Sequence, residues 1–432
     1  MTPPNTTSTP PFSITLPADR QQCLQFIRSL FTSHTGDDLT EVWTGGRAEG
    51  LRRLAQMQPV AYGKNRNFLD GQVTRLSPYL RHGCLSLGEA IQATKKLASS
   101  GADKLLFEFA WRDYWRKVWY ANGHAIDSDM EPEKVRLRRL PVSDDVQAAA
   151  TGLPCMDHFV QTLKQSGYLH NHARMWLASY MVHWRGVDWR AGASWMQRLL
   201  LDGDQASNTL SWQWVASTFG SKPYFFNKEN LSKYSANQFC QNCQAACPFD
   251  DSYEALSDRL FEPSSAPVKI YRKPTLRPTP KISGQHTIVL IHDEMLSSEN
   301  ACYAMLHKKV FVFDPDLHQE WGLHRLQFIA DCLMEMPEVE VWVGHTVDVL
   351  KALDAANIVT QNTPNLILKG LLQDYHVEYL AEPAAYDAEL STNITAKDLK
   401  RFSKYWAIVG SAILKSEADW TELNSIGLRQ RP

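Results

Sequence analysis

The hydrophobic pattern changes its period once along the 432-residue chain. Over the first 262 residues apolar positions recur three and four apart. "DRQQCLQFIRSLF" reads this way, as does "LLFEFAWRDYWRKVWY", where Phe107, Trp111, Trp115 and Val118 fall on one stripe. "YLHNHARMWLASYMVHW" and "RAGASWMQRLLL" continue the pattern, which predicts amphipathic helices. "LDGQ", "ANGH", "TGLP" and "SKPY" separate them as turns. From residue 284 onward the runs are short and β-branched: "HTIVLIH", "KKVFVFD", "VEVWVGH" and "NLILKG". They alternate with helical stretches, "HRLQFIADCLMEM" and "VDVLKALDAANI", which predicts βαβ units and a parallel sheet. Between the two lies "EPSSAPVKIYRKPTLRPTPKISG", rich in proline and without periodicity, an extended and semi-rigid connector.

The pattern therefore divides the chain into a flexible tail (1–18), a helical domain (19–262), a basic proline-rich linker (263–283) and an α/β domain (284–432). That length accommodates two or three cores. Hydrophobic residues make up 44% and charged residues 21%, a globular composition rather than a disordered one. No run approaches the roughly 18 apolar residues of a membrane span. "MTPPNTTSTPPFSITLP" lacks the basic and apolar regions of a signal peptide, so a cytoplasmic location is expected.

The net charge of −2 is unevenly spread. Residues 1–262 hold 28 Lys/Arg and 26 Asp/Glu, residues 263–283 hold five and none, and residues 284–432 hold 12 and 21. A polyanion is attracted to the first part and the linker and repelled by the end; equally, a basic linker serves solubility alone. The eight cysteines are expected to be reduced. Three of them, Cys240, Cys243 and Cys247 in "FCQNCQAACPFD", are bunched as thiol ligands are.

One stretch concentrates unusual residue types. "DGDQASNTLSWQW" brackets a glycine with two acids and a glutamine with two tryptophans. Buried acids need partners, and a buried indole N–H needs an acceptor. A salt-bridged helix end or a site for a planar, hydrogen-bonding guest both meet that need. Together with "RLSPYLRHGCLS", "EFAWRDYWR" and "TGLPCMDHFVQTLKQSGYLHNHARM", in this order, it resembles the flavin domain of the DNA photolyase and cryptochrome family over about residues 43–235. The resemblance implies an all-α FAD-binding domain followed by an α/β, Rossmann-like domain of the antenna type, the reverse of the family's usual order.

It also implies roles. Tyr62, Thr74, Arg75, Leu76 and Ser77 would follow the ribityl chain and phosphates of FAD; Val73 stands where the family usually has a hydroxyl. Arg174 would pair with Asp202 against the flavin ring, with Gly203 between the acids, Asp204 on the pyrimidine edge and Asn208 near N5. Trp212 and Trp189 match the first two members of the family's electron-transfer chain. Its usual outer member has no counterpart, since no Trp lies between Trp119 and Trp176. Glu108, Trp111, Arg112, Asn171, Met175 and Trp214 match the pocket for a flipped-out dimer, Arg112 being counted with the cofactor residues too. Asn171 and Met175 replace the histidines of the (6-4) branch and favour the cyclobutane lesion. A flipped lesion needs such aromatic shelves and polar edges, although Glu108 and Arg112 at this spacing also suit a plain helix ion pair.

The segment around Cys240, Cys243 and Cys247 resembles that of iron–sulfur bacterial photolyases, in which Cys155 would be the fourth ligand. Four thiolates suit a 4Fe–4S cluster or a zinc ion. "DGD" and "WQW" belong to the conventional branch, so the chain mixes features. The expected activity is light-driven repair of UV-damaged DNA by a monomeric lyase; the alternative is a cryptochrome-like photoreceptor. No antenna chromophore is inferred.

Overall fold

A computed structural model describes residues 10–36, 43–264, 281–386 and 393–415. Its sheet has six strands: β1 (Phe12–Ile14), β2 (His286–Ile291), β3 (Lys308–Phe313), β4 (Val339–Val343), β5 (Ala355–Gln361) and β6 (His376–Leu380). They lie in the order β1-β4-β3-β2-β5-β6. β2 to β6 are mutually parallel, as the β-branched runs of β2, β3 and β4 predict, with β5 and β6 added beyond those runs, while β1 pairs antiparallel with β4 through Phe12–Val343 and Ile14–Val341. The expected tail over 1–18 is thus corrected at residues 12–14, whose backbone groups close the free edge of β4.

Two further expectations change. "NLILKG" forms a helix, because the Asn365 side chain caps the N–H groups of Ile367 and Leu368; a short apolar run fits either structure and the cap decides. "VDVLKALDAANI" is helical only to Ala352, and its last residues open β5.

The helices of the first half are α1 (Arg20–Leu30), α2 (Arg47–Ala55), α3 (Pro59–Asn65), α4 (Ser77–Arg81), α5 (Leu87–Leu97), α6 (Asp103–Asn122), α7 (Asp144–Gln147), α8 (Pro154–Ser166), α9 (Asn171–Ser179), α10 (Trp189–Leu199), α11 (Gln205–Ala216), α12 (Lys228–Tyr234) and α13 (Tyr253–Leu260). The second half adds α14 (Pro315–His318), α15 (Leu323–Met334), α16 (Thr346–Ala352), α17 (Leu366–Leu371) and α18 (Phe402–Lys415). Their ends follow local chemistry. Ser86 and Glu89 form a capping box at α5, and Gly123 at φ 55° stops α6.

The two halves share one core. Phe109 and Tyr114 of α6, Ile291 and Phe311 of the sheet, Leu326 and Phe328 of α15 and Tyr405 of α18 belong to a single buried cluster. A second cluster, around Trp176, Trp189 and Trp212, lies wholly within the helical half. Charges are buried at the seam: Arg81 Nη2 lies 2.8 Å from Asp293, Arg116 Nη2 2.6 Å from Glu294, and Arg325 Nη2 3.4 Å from Asp293. The sulfurs of Cys84 and Cys332 meet there at 3.4 Å. The linker expected over 263–283 falls outside the described residues at 265–280. No helix among the described residues is long and apolar enough to cross a membrane.

Three histidines are held neutral by this packing. Burial pushes His170, His183 and His318 down to about 4. In addition, Nδ1 of His170 accepts from the His172 N–H, and Nδ1 of His318 from the Asp314 N–H. Above about pH 6.5 both folded and unfolded chains carry these rings uncharged; between about 6.5 and 4 the unfolded chain binds more protons. Folding stability is therefore expected to fall as pH drops through this window, each histidine adding about 1.4 kcal/mol per pH unit to the slope. Urea unfolding followed from pH 7.5 to 4.5 measures it.

Candidate functional site

The head of α11 is where the expected site residues converge. Asp204 caps the helix, its Oδ1 accepting from the Ser207 N–H at 2.8 Å. Its other oxygen lies 2.8 Å from Arg112 Nη2 of α6. Two residues earlier, Asp202 receives Arg174 of α9 in a two-pronged contact at 3.2 and 3.0 Å. Burial by itself raises both carboxyls. The Arg174 charge, with hydrogen bonds from Arg174 and Ser77, outweighs it at Asp202; the charges of Arg112 and Arg81 do so at Asp204. Both acids are thus held below the usual carboxylate range, as fixed anions. Arg112 pairs with Asp204, not with Glu108 one turn before it, so the simple helix pair is not what forms. One turn into α11, Asn208 Nδ2 donates to the Ala193 carbonyl of α10 at 2.9 Å.

Gly203 separates the acids at φ 41°, and a Cβ there would come within 2.1 Å of Arg325 Nη1. This arginine, from α15, was not foreseen. It is fully buried, stacks over the Trp321 ring at 3.3 Å and is pushed down to about 9 by burial and by the nearby Arg81. A "DGD" with its glycine demanded by a neighbour's side chain gives no sign in sequence of who that neighbour is.

The residues expected along the phosphates also meet. Tyr62, Thr74 and Arg75 line a cavity of about 160 Å³ together with Arg52, Arg53, Gln58, Gln72 and Val73. Arg75 takes a left-handed φ of 51°, and Thr74 Oγ1 accepts from the Leu76 N–H at 3.4 Å. Leu76 is buried and Ser77 opens α4. Guanidinium, amide and hydroxyl donors around a cavity of this size suit a pyrophosphate.

The expected lesion residues are less united. Glu108 lies 2.8 Å from Lys104 and 3.1 Å from Arg66. Asn171 Nδ2 contacts Met175 Sδ at 3.7 Å, one turn apart. Trp214 packs on Tyr224 with ring centroids 5.3 Å apart. Trp111 is stacked on Phe402 of α18 at 3.8 Å with planes 7° apart. Its face meets this helix instead of an open hole. Tyr405 of α18 hydrogen-bonds Asp113, and Phe107 lies edge-on to both Phe402 and Trp406.

Trp212 and Trp189 are both buried in the helical core. The Trp212 ring lies against α10, where a Cβ on Gly192 would meet it at 2.3 Å. The four grouped cysteines are near one another, since Cys240 and Cys247 each raise the Cys155 thiol electrostatically after burial, to about 12. A single zinc ion needs sulfurs about 3.8 Å apart, given Zn–S bonds of about 2.3 Å. Among the described residues, the group whose ligand atoms gather within 4.8 Å is Asp314, Asp316 and His345, not the cysteines.

Residues 105–250 match the FAD binding domain of DNA photolyase. A deoxyribodipyrimidine photo-lyase of Streptomyces griseus is 35% identical over 181 residues, 40% of this chain and 39% of its own. One from Alkalihalophilus pseudofirmus is 33% identical over 201 residues, 44% and 42% of the two chains. A cryptochrome DASH of Xenopus laevis is 31% identical over 205 residues, 44% and 39%. The chain spans about two fifths of the length of these curated relatives. A solved class III photolyase from Agrobacterium tumefaciens is 26% identical, with a TM-score of 0.40 over 46% of this chain and 44% of that one.

Removing the Asp202 charge leaves the half-buried Arg174 guanidinium without its anion. Asp202→Asn is expected to destabilise the fold by about 1–3 kcal/mol, measured by urea unfolding, and to weaken flavin retention on gel filtration.

Proposed function

We propose that the chain is a flavin-dependent deoxyribodipyrimidine photolyase, a monomeric cytoplasmic enzyme that reverses pyrimidine dimers, cyclobutane dimers above all, in UV-damaged DNA. The observation that carries this reading is the head of α11. There two buried acids, each fixed as an anion by its own arginine, stand beside Asn208 within the segment related to FAD binding domains. When bound, the flavin supplies a light-driven one-electron donor. The chain's own work is to hold and orient it. Tyr62, Thr74, Arg75, Leu76 and Ser77 serve the phosphates and ribityl chain; Arg174 with Asp202 and Arg112 with Asp204 present a rigid polar edge to the ring. The Asn208 amide, anchored on α10, presents its oxygen without charge. Asn171, Met175, Trp214, Trp111 and Glu108 receive the flipped dimer, excluding water and fixing its distance. The sheet half corresponds to an antenna-type domain placed second, and the basic residues of 263–283 assist DNA attraction.

Phe402 stacked on Trp111 favours a second reading, a cryptochrome-like photoreceptor without repair activity, because it covers a ring the dimer would use. Anaerobic illumination of the reduced, flavin-loaded chain with dimer-containing oligonucleotide separates the two. The repair reading expects light-dependent reversion, faster still for Phe402→Ala. Retained flavin with no reversion by either protein points to the photoreceptor.

The cysteines hold a 4Fe–4S cluster in this proposal. Anaerobically purified protein is expected to contain roughly four irons per chain. Cys155→Ser is expected to lose most of that iron and to melt at lower temperature, by metal analysis and thermal unfolding.

A further inference from the structure

Trp189 opens α10 and is 1% exposed. Its indole N–H donates to Asp129 Oδ1 at 2.8 Å. The same oxygen accepts from Arg190 Nη2 at 2.9 Å, and Oδ2 accepts from Arg139 Nη2 at 2.7 Å. Two guanidiniums thus pair with the same side chain that receives the indole N–H. The Arg190 guanidinium also sits over the Trp189 ring, 4.7 Å from its centroid. Asp129 has 20% of its side chain exposed, and Arg139 and Arg190 have 32% and 36%. The indole is thus sealed while its hydrogen-bond partner reaches solvent.

This arrangement treats two oxidised forms of the ring differently. A cation over the ring face favours the neutral indole's electron-rich π cloud and opposes a positive ring. A carboxylate at hydrogen-bond distance is placed to take a proton, which is the geometric requirement for proton transfer. An indole that has lost an electron is a far stronger acid at nitrogen than the parent. Together these select loss of the proton over retention of the charge.

We infer that Asp129 is the proton acceptor that makes Trp189 the end of this chain's electron relay, in place of an outer tryptophan. The inference rests on the proposed flavin and on Trp212 and Trp189 as its donors. In the step, which starts from the chain loaded with oxidised flavin and not the reduced form used for repair, one electron leaves Trp189 through Trp212 and would reduce the light-excited oxidised flavin by one electron. The Nε1–H bond breaks, its proton moves to Asp129 Oδ1, and a neutral indolyl radical remains. One electron from a thiol in solution, with the proton returned from Asp129, restores the ring. Charge return from the flavin is slowed because the proton must come back with it. Trp212 is suitably placed, its ring packed on α10 at Gly192, one turn beyond Trp189.

Flash photolysis of the full flavin-loaded chain tests this, following the indole radical and the recovery of the flavin. The wild type is expected to form the neutral radical, more slowly in deuterated water. Asp129→Asn is expected to show a radical cation that recombines about tenfold faster and without the isotope effect, the loss of a charged hydrogen-bond partner being worth at least that factor. Asp129→Glu, which keeps acceptor and charge, is expected to restore the neutral radical. A neutral radical of unchanged lifetime in Asp129→Asn overturns the inference, as does a Glu variant behaving like Asn. If the wild type forms no indole radical, or Trp189→Phe forms the same one, the relay reading itself fails and Asp129 loses its role. That failure is recognised without reference to the Asp129 variants.

Discussion

Buried opposite charges at the seam between helices and sheet hold the remaining structure in register. Arg81 and Arg325 share Asp293, and Arg116 takes Glu294. Ions so far from water are stable only when each has its partner in place, so the end of β2 can dock in one position against α4 and α6. The charges of Arg81 and Arg325 hold Asp293 in its charged form against the burial that opposes it, and desolvation lowers Arg325 to about 9, which still leaves it a cation at neutral pH. The apolar cluster around this network supplies attraction without direction; the charges supply the direction.

That docking sets the geometry of the site beyond it. Arg325 abuts Gly203, and Arg81 adds its field to that of Arg112 on Asp204. The acids at the head of α11 are therefore supported from two sides: from α6 and α9 within the helical half, and from α15 of the other half. The sheet half is a structural partner of the flavin-family segment as well as its neighbour in sequence. α18 extends the same relation along α6, where Phe402 and Tyr405 cover a face bearing Trp111 and Asp113.

Trp189, Trp212 and the cysteine group lie away from this seam, within the helical half. There the constraint is close helix packing. Gly192 lets α11 bring Trp212 against α10, and Asn208 ties the same two helices through the Ala193 carbonyl. One pair of helices consequently positions both the uncharged amide of the candidate ring site and the aromatic path leading away from it.

Much of this was legible in one dimension because it rests on local periodicity or on short motifs. The helices of the first half and the parallel runs of β2 to β4 follow from spacing and β-branching, and the Arg174–Asp202 pair was implied by the family resemblance that "DGD" and its companion motifs carry. The helix at Leu366–Leu371 escaped, since so short a run opening on three apolar residues suits either state and a single Asn365 cap selects one. β1 escaped because three residues between prolines become a strand only when β4 offers an edge. Arg325, Phe402 and Asp129 carried no signal at all. Each acts on a residue far away in the chain: Gly203, Trp111 and Trp189. The amino-acid order determined which elements form and which chemistry the "DGD" segment carries, because those depend on neighbours within a turn or a strand. Which charge faces which acid, and which ring is covered or left to relay, was decided only by tertiary packing, because desolvation and contact depend on groups the chain brings together from a distance.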